Sequence, residues 1–185
     1  VYPIEKANES KGKEDILQKV QKSKNSPAKE LLDISLDAEE YTVTFVANGQ
    51  TVTRKALFDW SKEDNERIRY YSGTAIYKTT FPWKYKEQKD RQVYLHLGTV
   101  YNLATVRVNG IDCGTVWTAP YRADITAALK KGTNELEIEV TNTWANALKG
   151  TDEGKAPFEG IWTNAKYRKQ ENTLLPGGLL GPLYL

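Results

Sequence analysis

The stretch that decides the fold reads "ATVRVNGIDCGTVWTAPY", residues 104–121. Apolar and polar side chains alternate on both sides of an Asn-Gly pair, so that Val106 and Val108 fall on one face and their neighbours on the other. A period of two is that of a β-strand. Asn and Gly tolerate the positive φ angles of a tight primed turn. The stretch therefore predicts a β-hairpin that turns at Asn109-Gly110.

The same alternation recurs elsewhere in the chain. "NELEIEVTN", residues 134–142, places three aliphatic side chains on one face and three glutamates on the other, and "RQVYLHLG", residues 91–98, places His96 on the outward phase. "YTVTFVANGQTVT", residues 41–53, predicts a second hairpin, with its primed turn at Asn48-Gly49. Three carboxylates at a spacing of two predict a solvated sheet face rather than a metal site.

Short strands joined by turns, with almost no helix between them, indicate an all-β protein with an antiparallel β-sandwich. A last strand is expected around Leu183–Leu185. We assign residues 36–185 to this domain. Residues 1–35 are predicted to be an N-terminal extension, helical or irregular, because their apolar residues Ile16, Leu17 and Val20 suit one side of a short helix.

Composition excludes several classes of function. The chain has 185 residues, with 26 basic and 24 acidic side chains and no basic stripe that would follow phosphates, so we expect no nucleic acid partner. The sequence contains no run of about 18 apolar residues, so we expect no membrane span. With one cysteine, Cys113, and one histidine, an internal disulfide, a cysteine zinc site and most catalytic triads are excluded. Cys113 is interpreted as a small filler.

Aromatic and amide side chains at loops are the candidate binding residues. Trp117 and Tyr121 follow a strand in "VWTAPY", and Asn142, Trp144 and Asn146 follow another in "TNTWANALKGTDEG". An indole supplies a flat apolar surface for a sugar ring, and an amide supplies a donor and an acceptor for hydroxyls. The alternatives are that Trp117 fills the end of the sandwich and that the amides fix loop backbone.

Trp162 and three acids complete the candidates. Trp162 suits either a groove or the core. Asp152, Glu153 and Glu159 lie in a loop-like context, but a glycosidase needs two carboxyls about 5–9.5 Å apart across the scissile bond. A structural Ca²⁺ would take such oxygen ligands, yet no EF-hand spacing supports one. We therefore predict no catalytic residue, no metal and no cofactor in this chain.

Three stretches carry a family resemblance: "YYSGTAIYKTTF", "VYLHLGTVYNLATVRVNGIDCGTVWTAPYRADITAALKKGTNELEIEVTNTW" and "LLPGGLLGPLYL". Together they resemble the galactose-binding-like, jelly-roll sugar-binding modules of bacterial glycoside hydrolases. The likeness covers about residues 40–185. It is closest to the C-terminal module of α-L-rhamnosidase-type enzymes and extends to the β-galactosidase-type domain. The resemblance implies a jelly-roll β-sandwich.

The resemblance also implies a function. Such families carry their catalytic acids in a separate domain, so we expect a non-catalytic accessory module of a secreted, periplasmic or extracellular hydrolase. It would pack against the catalytic domain, with the "W-APY" element at the contact, and contact carbohydrate as a further role. The alternatives are an independent carbohydrate-binding module, a glycosidase active by itself, and an adhesion sandwich with an exposed apolar patch.

Overall fold

The computed structural model describes residues 34–36, 38–85, 92–155, 157, 159–164 and 173–185. The predicted extension therefore lies outside the described residues, except for its last two positions. Within the described part, no helix is long and apolar enough to cross a membrane.

The described residues form ten strands and two α-helices. The strands are β1 (Tyr41–Phe45), β2 (Gln50–Arg54), β3 (Thr74–Trp83), β4 (Tyr94–His96), β5 (Thr99–Tyr101), β6 (Leu103–Val108), β7 (Ile111–Val116), β8 (Arg122–Asp124), β9 (Gly132–Thr141) and β10 (Gly178–Gly181). The helices are α1 (Glu66–Arg69) and α2 (Ala145–Asp152), with 3-10 turns at Trp60–Lys62 and Thr126–Ala128.

Six strands form the larger sheet, in the order β2-β1-β3-β9-β6-β7, and every neighbouring pair in it is antiparallel. The pairs β5–β10 and β4–β8 form two smaller antiparallel sheets. Buried side chains from the large sheet and from the small pairs belong to one core cluster. The all-β antiparallel sandwich predicted from the alternation is confirmed, with a small helical part.

β4 and β8 lie in a layer that also includes the segments around Tyr184 and Ser35, and we call it the short-strand layer. Tyr184 exchanges backbone hydrogen bonds with His96 on β4, at 2.8 and 3.2 Å, and Ser35 forms a bridge to Tyr184. The predicted last strand around Leu183–Leu185 is therefore not a full strand: Tyr184 forms only isolated β-bridges, to Ser35 and His96. The last assigned strand is β10, which ends before Pro182, a residue without a backbone N–H to donate.

The alternation read from the sequence places the core. Leu95 on β4, Val106 and Val108 on β6, and Ile138 and Val140 on β9 are all buried, as predicted. Their outward neighbours are polar or charged. Since apolar burial is the dominant favourable contribution to folding, these inward faces hold the layers together.

The two Asn-Gly pairs behave differently. Asn109 and Gly110 both have positive φ angles, 51° and 78°, in a two-residue turn, as predicted. The predicted primed turn at Asn48-Gly49 is wrong: the β1–β2 hairpin closes through the four residues 46–49, and of the pair only Gly49 has a positive φ, 67°. The Asn48 side chain instead accepts a hydrogen bond from the Gln50 backbone, at 3.1 Å.

Trp60 and Tyr77 fasten the C-terminal segment to the core. The Trp60 indole Nε1 donates to the Tyr77 hydroxyl at 2.7 Å, and the Leu179 backbone N–H donates to the same hydroxyl at 3.2 Å. Gly178 crosses the indole so closely that a Cβ there would lie 2.4 Å from Nε1, and its φ is +99°. Only glycine fits this crossing without strain.

Burial of the Tyr77 phenol raises its pKa far above the ordinary value, although the hydrogen bonds from Leu179 and Trp60 act in the opposite direction. The phenol therefore stays neutral at physiological pH. It serves as a fixed acceptor for two donors that water does not reach.

Replacing Tyr77 by Phe removes this acceptor and leaves two buried donors unpaired. An unpaired buried donor costs about 1–3 kcal/mol, so we expect the free energy of unfolding to fall by about 2–4 kcal/mol in urea titrations. Tyr85→Phe, at an exposed position, is the matched control and should change it by less than about 0.5 kcal/mol. Equal stability of the two variants would contradict the role assigned to Tyr77.

Glu137 lies in a line of ion pairs on the outer face of the large sheet. Lys78 approaches it at 3.1 Å and Arg107 at 3.0 Å, and Arg107 also pairs with Glu139. Partial burial raises the pKa of Glu137, but the hydrogen bonds and charges of Lys78 and Arg107 outweigh it, and the net shift is downward.

A carboxyl whose pKa is lowered by folding stabilises the fold above its unfolded pKa and loses that contribution as pH falls through the folded value. Glu137→Gln should therefore reduce stability by about 0.5–1 kcal/mol at pH 7 and by much less near pH 2. Denaturant titrations at both pH values measure the difference. Equal losses at pH 7 and pH 2 would show that the effect is packing and not charge.

Candidate functional site

The six predicted binding residues separate into tied and exposed side chains. Trp144 lies at the edge of a loop, as expected, because it is the N-cap residue of helix α2, Ala145–Asp152. Asn146 was also expected in a loop or at its edge, but it lies inside this helix. The helix forms because partners distant in sequence hold it. The Ser72 hydroxyl accepts a hydrogen bond from the Ala147 backbone at 3.1 Å, and Gly150 packs directly against the Tyr70 ring.

Both amide side chains are occupied by backbone. Asn146 is only 3% exposed, and its amide makes a paired contact with Leu175, donating to the carbonyl at 2.7 Å and accepting from the N–H at 2.8 Å. Asn142 accepts from the Gly73 N–H at 2.8 Å and donates to the Tyr71 carbonyl at 3.0 Å. This geometry favours the structural alternative for both residues over sugar contact.

The aromatic candidates differ in exposure. Tyr121 is half-buried and packs against the core cluster. Trp117 follows β7 and is 72% exposed, Trp144 is 57% exposed, and Trp162, in the described segment 159–164, is 81% exposed. Trp117 therefore does not fill the sandwich. An indole left this exposed has a large apolar area available for a partner.

Several exposed apolar side chains lie at one end of the large sheet, which we call the apolar end. There Thr141 of β9 pairs with both Thr74 of β3 and Leu103 of β6, and Val116 of β7 pairs with the residue after Leu103. Trp117 continues from Val116. The members of the apolar end are Val46, Leu103, Trp117, Trp144 and Leu175.

Sequence reasoning identified the two tryptophans of this end and missed its three aliphatic members. Val46 is placed there because its N–H donates to the Thr74 carbonyl, and Leu175 because it is bound to Asn146 in α2. From β1 to β7 the five strands span about 20 Å at the usual inter-strand spacing. Each of the three aliphatic residues is held at this end by a partner that is 28 or more positions away in sequence, so no local pattern signals it.

The three acids, Asp152, Glu153 and Glu159, all lie at the surface. Glu153 accepts a hydrogen bond from the Tyr70 hydroxyl at 2.7 Å, which, with partial burial, raises the pKa of Tyr70. Asp152 and Glu159 are exposed. Among the residues that the structure describes, no group of three His, Cys, Asp or Glu side chains could hold a metal ion.

A shallow concavity of about 500 Å³ lies on the outer face of the large sheet. Its described lining includes the paired charges of Lys78, Arg107 and Glu137 together with threonines and further glutamates, but no aromatic ring. Because its cations are already neutralised and it offers no flat apolar surface, this concavity is poorly suited to bind a sugar.

Cys113 is half-buried against the core, and burial raises the pKa of its thiol. A nucleophilic cysteine requires the opposite shift and a base beside it. The thiol donates a long contact of 3.5 Å to the Ile111 carbonyl. These observations agree with the filler role expected from the sequence.

Comparison with known proteins identifies the family. Residues 50–174 match the family model described as glycosyl hydrolase 2 galactose-binding domain-like. A protein of Formosa agariphila named "Putative beta-glucuronidase" is 36% identical over 174 residues, which cover 79% of this chain and 15% of that protein.

Two solved structures share the fold. The rhamnosidase from Novosphingobium sp. PP1Y aligns with a TM-score of 0.73 and 34% identity over 86% of this chain and 16% of that one. The FMN-binding beta-glucuronidase from Facaelibacterium prausnitzii L2-6 aligns with a TM-score of 0.55 and 25% identity, over 83% and 22% of the two chains. This chain thus spans less than a quarter of the length of each relative.

The expected galactose-binding-like sandwich is therefore confirmed. The matched region contains eight of the ten described strands, β2 to β9, and both helices. The chain belongs to the glycosyl hydrolase 2 galactose-binding domain-like family.

Proposed function

We propose that this chain is a non-catalytic module of a larger glycoside hydrolase and that it docks on the catalytic domain through the apolar end. The observation that carries the proposal is the location of Trp117, Trp144, Leu103, Val46 and Leu175 at one end of the large sheet. Exposed apolar side chains grouped in this way are typical of an interaction surface.

The relatives support a domain partner. The module makes up only 15% and 16% of the Formosa and Novosphingobium proteins, so most of each relative lies in other domains. Tryptophan is enriched where interfaces carry most of their binding energy, because a large ring is desolvated on contact. The proposed partner is the catalytic domain of the same polypeptide. Location outside the cytoplasm is part of this proposal and rests on the resemblance alone.

The test is made in the full-length enzyme that carries this module. The double variant Trp117→Ala and Trp144→Ala should weaken docking by about 2–4 kcal/mol, so that calorimetry resolves a separate, earlier unfolding transition of the module. In the isolated chain the same variant should unfold at nearly the wild-type temperature, since neither ring is buried there.

Ile111→Ala provides the matched control. Ile111 is an exposed apolar residue at the β6–β7 turn, at the opposite end of the sheet from Leu103. It should leave the unfolding of the full-length enzyme unchanged. An Ile111→Ala effect as large as that of the double variant, or no effect of either, would contradict docking through the apolar end.

Carbohydrate contact by the same tryptophans is the second candidate function, favoured by the exposure of Trp117, Trp144 and Trp162. Acrylamide should quench most of the fluorescence of the isolated chain, because the other two tryptophans, Trp60 and Trp83, are buried and half-buried. We expect protection of Trp117 and Trp144 in the full-length enzyme without added sugar. Protection of the isolated chain by a sugar from a panel of mono- and oligosaccharides would instead support direct binding.

A further inference from the structure

The outer face of the short-strand layer carries four planar side chains from three neighbouring segments. Ala123 of β8, Leu95 of β4 and Leu183 point into the core, so the residues beside them in sequence point outward. We call the outward set the planar cluster, and its members are Tyr94, His96, Arg122 and Tyr184.

The planar cluster is arranged as two stacked pairs. The Arg122 guanidinium lies over the Tyr94 ring, with Cζ 4.8 Å from the centroid. The His96 and Tyr184 rings stack at 4.5 Å between centroids, with 7° between their planes. Arg122 is also the register partner of His96, so the two pairs are adjacent. Strand pairing therefore fixes the positions of all four groups.

Arg122 keeps its hydrogen-bonding capacity available. The side chain is exposed, and none of the ion pairs or side-chain hydrogen bonds among the described residues involves its guanidinium. Asp124, two residues further along β8, uses Oδ1 to accept from the N–H and hydroxyl of Thr126, at 2.9 and 2.6 Å. By contrast, Arg107 on the opposite layer is already paired with two glutamates.

We propose that the planar cluster binds an acidic saccharide, with the Arg122 guanidinium pairing the anionic group of the sugar. A planar guanidinium presents donors in a fork that matches a carboxylate in a bidentate contact. The Tyr94 ring holds this fork in place, which reduces the entropy lost on binding.

The stacked His96–Tyr184 pair supplies the second part of the site. Its rings offer apolar area beside the cation, on which the C–H groups of a pyranose ring pack and exclude water. A neutral sugar would use the rings alone and leave the guanidinium unpaired. Charge complementarity therefore selects an acidic sugar over a neutral one. This site lies on a different surface from the apolar end, and it does not depend on docking.

Titration calorimetry of the full chain with oligogalacturonate tests the proposal, and the methyl-esterified oligosaccharide is the matched ligand without charge. We expect the ester to bind at least about tenfold more weakly, since a charge-assisted contact contributes about 1.5–3 kcal/mol. Arg122→Ala should lose a similar factor. Arg122→Lys, which keeps the charge but not the fork, should lose about threefold or more.

Arg67→Ala is the control, because it removes the same charge from an exposed position in α1. It should leave the dissociation constant within about twofold of wild type. The unfolding temperatures of both alanine variants should match that of the wild type, which separates binding from a structural role. Equal binding of acid and ester, wild-type affinity of Arg122→Ala, or no binding of any anionic oligosaccharide, whether the uronate or a sulfated sugar, would overturn the proposal.

A sulfated neutral oligosaccharide in the same titration distinguishes the two anionic groups that a guanidinium recognises. Tighter binding of the uronate assigns a carboxylate site, and tighter binding of the sulfated sugar assigns a sulfate site. In either case Arg122→Ala must weaken the preferred ligand by about tenfold. This titration is made on the chain alone, so it does not depend on docking to a catalytic domain. A docking defect in the Trp117 and Trp144 variant, or its absence, therefore leaves the titration result unchanged.

Discussion

The crossing of the C-terminal segment over the Trp60 indole is the contact on which the rest of this sandwich depends. Tyr77 lies in the middle of the large sheet and accepts hydrogen bonds from both the indole and Leu179, so one phenol connects the two layers. Asp59 and Trp60 also hold the backbone of Gly177, through bonds of 3.1 and 3.0 Å. Once this segment is in place, β10 can pair with β5 and the short-strand layer can close over the core.

How far the sequence predicts this structure depends on how local each signal is. The two-residue period of residues 134–142 and the turn at Asn109-Gly110 involve neighbours in sequence, and both were predicted. Helix α2 was missed because Ser72, Tyr70 and Leu175 hold it from positions that no local pattern connects with it. The burial of Trp60 could not be predicted for the same reason, because the residues that contact it are distant in sequence.

For the candidate surfaces, too, local features were predictable from the sequence and long-range groupings were not. The exposed tryptophans could be named from sequence, but their grouping with Val46 and Leu103 arises from the pairing of β3, β9 and β6. Sheet alternation placed His96 outward, whereas its stacking on Tyr184 depends on a backbone bridge between segments 88 positions apart. The outer face of the large sheet, with its charges neutralised by one another, has little capacity left for partners.

Ile34 and Leu185 exchange two backbone hydrogen bonds, each of 2.8 Å. The segments that contain these two residues therefore lie side by side. A domain in which two segments so distant in sequence are adjacent can be inserted into a surface loop of a host protein without stretching that loop. This geometry offers a physical reason why a sandwich of this kind can be transplanted among large enzymes as a self-contained insert.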